Sequence, residues 1–113
     1  VAQVQAGLMP LIVIQPIVML LSGLMCHAAA RGRLGRNVIT GYRFRELLAS
    51  DRAWAAGHAA AEQPSWVGFG LTTAFAIYGV AIRPVALVAE VVAFAACLAW
   101  AIRAAIAAAA NTR

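Results

Sequence analysis

Three long uncharged runs, separated by one polar interval, make up most of this chain. Leu8–Cys26, Trp66–Ile82 and Val85–Ile102 contain no charged residue except Glu90. The first run alone would reach about 28 Å as a helix, close to the thickness of a bilayer's hydrocarbon core. The polar interval covers residues 31–64. The pattern therefore predicts an all-α membrane protein with three transmembrane helices over about 8–26, 66–82 and 85–102. They form one domain across 1–113, with a cytoplasmic loop at 31–64.

Local signals refine these elements. Pro16 lies inside the first run and is expected to kink it, freeing the carbonyl of Ile12. Pro10 lies near the start, where proline is tolerated. Arg31-Gly32-Arg33-Leu34-Gly35-Arg36 ends the first helix. Ser50-Asp51 reads as a helix start, with Ser50 as the N-cap and Asp51 suiting the positive helix end. That short amphipathic helix is expected to run to about Glu62 and stop before Pro64. Trp54, His58 and Ala61 share one face of it, and Gly57 weakens it. Gly70 and Ala74 form a small-residue pair suited to close helix approach, as do Ala89, Ala93 and Cys97. Pro84 suits the first turn of the last helix, and the alanine-rich tail from Arg103 extends that helix into water.

Composition strengthens the membrane reading. The chain is 64% hydrophobic and 12% charged, against about 25% charge in a soluble domain, and its mean hydropathy is +0.83. The net charge is +5 and every basic residue except histidine is arginine. Because the arginines border apolar runs, they are read as setting topology rather than binding nucleic acid. The polar interval and the tail carry most of them, and the turn between the last two runs carries only Arg83. This places the loop and C-terminus in the cytoplasm and the N-terminus outside. Arg31, Arg33 and Arg36 can reach anionic lipid headgroups. No basic region precedes the first run, so it is expected to be a retained helix rather than a signal peptide.

Little of the sequence suggests chemistry. Cys26 and Cys97 read as small buried hydrophobes. His27 and His58 have no second ligand at helical spacing, so no metal is expected, and His27 reads as an interfacial group at a helix end. No nucleophile–base pair or phosphate loop is present, so neither an enzyme nor a cofactor is predicted. Two polar residues lie inside apolar runs. Gln15 is expected either to bond a neighbouring helix or to form a small polar site at the Pro16 break. Glu90, a costly embedded carboxyl, is expected to pair with Arg83 or to bond Thr72, Thr73 or Gln15. Contact with a partner protein and proton or ligand handling remain open for it.

The loop carries the densest pattern: Asn37, Gly41, Tyr42, Arg43, Ser50, Asp51, Trp54 and His58. Asn37 and Gly41 tolerate left-handed backbone. Arg43 could bond helix-end carbonyls, pair with Asp51 or stack on Trp54. These residues read either as a clamp between two spans or as a docking surface.

Asn37, Gly41, Arg43, Trp54 and His58, with the order of runs around them, resemble the SdpI/YhfL family of small bacterial membrane proteins. Phe44 stands where that family usually places Thr. The resemblance implies a bacterial cytoplasmic (inner) membrane protein that acts by binding other proteins. The family's named member confers toxin immunity and captures a transcriptional regulator. The expected function is a non-catalytic accessory or regulatory subunit of a larger membrane assembly, such as a transporter or envelope-lipid machine, in a hetero-oligomer with other integral membrane proteins. The alternatives are an immunity or signalling protein and a small proton-linked or lipid-binding carrier using Glu90.

Overall fold

A computed structural model describes residues 2–37 and 39–112. The described residues are helical with no strand. In order, the helices are α1 (Ala2–Ala30), α2 (Arg45–Leu48), α3 (Asp51–Ala81) and α4 (Ala86–Ala110). They form a rod of 52 × 22 × 20 Å. α3 is its axis: α1 and α4 each pack along it and barely touch one another. Two helical stretches, Ala6–Ala30 and Ala86–Ala110, are long and apolar enough to cross a membrane. Their outer faces remain apolar, with Leu11, Ile14, Leu21 and Leu24 of α1 and Val88, Val91 and Val92 of α4 all exposed.

The helix boundaries follow from local chemistry. α1 ends in a glycine cap, with Gly32 at φ +78. There the Gly32 N–H donates to the Ala29 carbonyl at 3.3 Å and the Arg33 N–H to Ala28 at 2.9 Å, which satisfies two otherwise orphaned carbonyls. α3 begins as its sequence indicates, with the Ser50 hydroxyl accepting the Ala53 N–H at 3.0 Å.

The expected stop before Pro64 does not occur. α3 runs unbroken through it for 31 residues, so no separate short amphipathic helix forms at 51–62. Pro64 cannot donate to the Ala60 carbonyl, a loss that normally breaks a helix. Here the proline is fully buried, and α3 is packed along its length by other helices, so tertiary contact outweighs the local defect. Only the four-residue α2 lies in the loop as an independent helix. α1 likewise continues through Pro10 and Pro16.

Small residues set the spacing between helices, and only some of them are the ones expected. Gly70 has nothing within 4 Å, and Ala74 is exposed as well. The close approaches are elsewhere. A Cβ on Gly68 would lie 2.7 Å from the Met19 sulfur and 3.0 Å from the Cys97 Cβ, while one on Gly79 would collide with the Leu87 side chain. One on Gly23 would strike the Trp66 ring. The buried face of α4 is Ala86, Glu90, Ala93, Cys97, Ala101, Ala105 and Ala109, a helical stripe that keeps Ala93 and Cys97 of the expected face, leaves Ala89 only partly buried and continues to the end of the helix. The alanine tail is helical, but this face does not project into water. Ala101, Ala105 and Ala109 join Cys26, Ala29, Leu47, Ala53, Trp54 and Ala61 in one core cluster.

Candidate functional site: an ordered loop clamp

The connection from Arg31 to Phe44 is far longer than the roughly 2–5 residues that suffice between antiparallel helices. Asn37 folds its first half. The Asn37 Oδ1 accepts the backbone N–H groups of Ile39 at 2.9 Å and Thr40 at 2.6 Å, and its Nδ2 donates to the Gly35 carbonyl at 2.8 Å. Asn37 thus acts through its side chain and does not adopt a positive φ. Gly41 does, at φ +97. A Cβ there would lie 2.6 Å from the Trp54 ring and 3.0 Å from His58 Nε2, so both conformation and space require glycine.

Trp54 and His58 receive the loop. Trp54 Nε1 donates to the Leu34 carbonyl at 2.8 Å. The Tyr42 N–H donates to His58 Nε2 at 2.9 Å, so that nitrogen carries no proton. The proton therefore sits on Nδ1, which donates to the Trp54 carbonyl at 2.8 Å. His58 is fully buried. Burial pushes its pKa below the ordinary 6.5, with the Trp54 carbonyl bond partly opposing that shift. It is a neutral structural histidine whose ring lies 4.3 Å from that of Trp54.

Tyr42 then reaches back to the helices. Its hydroxyl is 2.7 Å from Ser22 Oγ, which is 2.7 Å from Ser65 Oγ. Ser65 donates to the Ala61 carbonyl at 2.8 Å. Since each hydroxyl has one proton, the direction is fixed: Tyr42 donates to Ser22, and Ser22 to Ser65. Burial raises the Tyr42 pKa above 10.0. A second link between α1 and α3 sits nearby. Glu62 Oε2 accepts from His27 Nδ1 at 2.9 Å and Trp66 Nε1 at 3.2 Å. Burial acts to raise the Glu62 carboxyl, but these bonds and the charges of His27 and Arg31 outweigh it and hold it below 4.5. His27, in the last turn of α1 as its place in the sequence suggests, is therefore also an interhelical donor.

The remaining loop candidates divide. Arg36, not Arg43, holds the helix start: its Nε bonds Asp51 at 2.8 Å and its Nη1 the Leu48 carbonyl at 3.0 Å. Arg43 makes no hydrogen bond or ion pair among the described residues; it is exposed and borders a shallow surface pocket with Arg36, Asn37, Leu48 and Asp51. Ile39, 83% exposed, projects from the same loop. Gly57, legible in the sequence only as a weakness, is a close-contact site, since a Cβ there would meet Leu47 and the Ala105 carbonyl.

The two polar residues inside apolar runs are not brought together by any bond. Gln15 Nε2 donates to the Leu11 carbonyl of its own helix at 3.0 Å rather than to a neighbouring helix. Glu90 is 1% exposed and makes none of the bonds expected to Arg83, Thr72, Thr73 or Gln15. Arg83 stands exposed in the turn, outside both helices, so it does not share the helical face that pairing required. Both cysteines are free and buried, and no group of metal-ligating side chains forms among the described residues. Arg113, which contributed to the topology reading, lies outside the described residues.

No protein-family model, no curated protein and no solved structure matches this chain.

Proposed function

We propose that this protein is a non-catalytic accessory or regulatory subunit of a bacterial inner-membrane assembly, acting through contact between its ordered loop and another protein. In this reading α1, the second half of α3 and α4 cross the membrane, with the loop and the C-terminus cytoplasmic. The observation that carries it is the loop itself. Bonds from Asn37, Tyr42, Trp54 and His58 fix a long connection in one conformation, and Ile39 and Arg43 are left outward and unengaged. Long loops ordered in this way usually serve binding.

A mild-detergent capture of the tagged protein tests the reading. The expected result is a stoichiometric membrane-protein partner that is lost in an Ile39→Glu, Arg43→Ala variant. A lone monomer that crosslinks to nothing would overturn it.

A second reading is an immunity or signalling protein of the SdpI/YhfL type. It is favoured by the convergence of Asn37, Gly41, Trp54 and His58, which carry that resemblance, on one clamp. Capture of a soluble regulator instead of a membrane partner would select it.

A further inference from the structure

The clamp leaves Glu90 unused. It lies on the buried face of α4, and its Oε2 has no hydrogen-bond partner. Two close contacts bracket it along the α3–α4 seam: Leu87 against Gly79 on one side and Cys97 against Gly68 on the other. The seam is therefore tight above and below the carboxyl.

No cation compensates it among the described residues. Arg83 is exposed in the turn, and the two ion pairs, His27–Glu62 and Arg36–Asp51, involve residues of the loop end. Donors are scarce as well. Thr72, buried on the same stretch of α3, gives its hydroxyl proton to the Gly68 carbonyl at 2.7 Å. Gln15 spends its amide on Leu11 and is left with an unpartnered Oε1. Thr73 Oγ1 is the only other buried side-chain polar atom without a partner among the described residues. A bare carboxylate in such surroundings is among the costliest states a side chain can occupy. A carboxylic acid is neutral and supplies the donor that this interior lacks.

We propose that Glu90 is an intramembrane proton-binding site, a carboxyl that holds a proton within the α3–α4 seam of the folded protein. The proposal rests on α4 lying in the membrane and not on the accessory role.

The test is carbodiimide labelling of the full chain in lipid vesicles at neutral pH, mapped by peptide mass spectrometry. A carbodiimide takes up both the carboxyl oxygen and its proton, so it modifies the acid and not the anion. A membrane-soluble carbodiimide is expected to form an adduct at Glu90, and a water-soluble one to leave Glu90 untouched. The carbonyl stretch of a protonated carboxyl should be visible in the infrared spectrum and vanish in Glu90→Gln. Recovery of the Glu90 peptide without an adduct from either reagent would overturn the proposal while leaving the membrane placement standing. Modification by both reagents would show Glu90 open to water and overturn the membrane placement, and with it the intramembrane site. Wild-type labelling alone decides these outcomes, so the result survives even if Glu90→Gln fails to fold.

Discussion

His58 Nε2 accepts the backbone N–H of Tyr42, sixteen residues earlier, at 2.9 Å. One imidazole thereby does for the loop what a backbone carbonyl does inside a helix. The bond requires His58 to be neutral, and the buried site makes it so.

Acid should therefore loosen the clamp in a defined window. His58 is held below its ordinary 6.5, so the unfolded chain binds this proton more readily than the folded one. Its contribution to stability is complete above pH 6.5 and is lost as pH falls from there through the folded value. Glu62 adds a second, lower window: its stabilisation is present above 4.5 and is lost as pH falls through its depressed value. Thermal unfolding in detergent between pH 8 and pH 2 should show two declines, and His58→Gln should remove the upper one.

Gly41→Ala should cost about 2–3 kcal/mol, combining a left-handed backbone with a collision on Trp54. Gly35→Ala, where a Cβ meets nothing within 4 Å, should change stability by less than about 0.5 kcal/mol. Limited proteolysis of the loop would separate them: rapid cleavage between Arg33 and Arg45 in the first variant and a wild-type pattern in the second.

The hydroxyl chain should behave as a unit. Tyr42→Phe removes the first donor and Ser65→Ala removes the acceptor for Ser22, each costing about 1 kcal/mol. The double variant should cost less than the sum of the two, with a coupling of about 0.5–1 kcal/mol, because either change already disrupts the link. Denaturant or thermal unfolding of the four proteins measures it.

Arg36 and Arg43 should separate stability from binding. Arg36→Ala loses an exposed ion pair, worth about 0–1 kcal/mol, together with its bond to Leu48, and should loosen the start of α3. Arg43→Ala should leave unfolding unchanged within about 0.5 kcal/mol and still reduce capture of a partner. Hydrogen exchange at residues 45–55, compared with capture yield, distinguishes the two arginines.

Much of the architecture was legible because it depends on local rules. Uncharged runs gave helices, Ser50 capped α3, and Trp54, His58 and Ala61 formed the buried face that their spacing implied. Pro64 misleads because its penalty is local, whereas the packing that overcomes it comes from distant parts of the chain. Arg36, not Arg43, reaches Asp51, a choice that identical side-chain chemistry leaves to the fold of the loop. Gly57 shows in the sequence only as a weak point of a helix and Gly68 not at all, since a glycine's value lies in the neighbour it admits. The hydroxyl chain joins Ser22, Tyr42 and Ser65, three positions with no sequence spacing in common. Nothing but the folded arrangement reveals it.

The continuity of α3 has a mechanical consequence. Its 31 residues make a lever about 46 Å long, seated in the loop at one end and against Leu87 at the other. Pro64, with one backbone bond missing, is its natural fulcrum. A tilt of about 5° there would swing the far end, roughly 25 Å away, by about 2 Å. Anything that grips the loop therefore has a handle on the distant end of the rod.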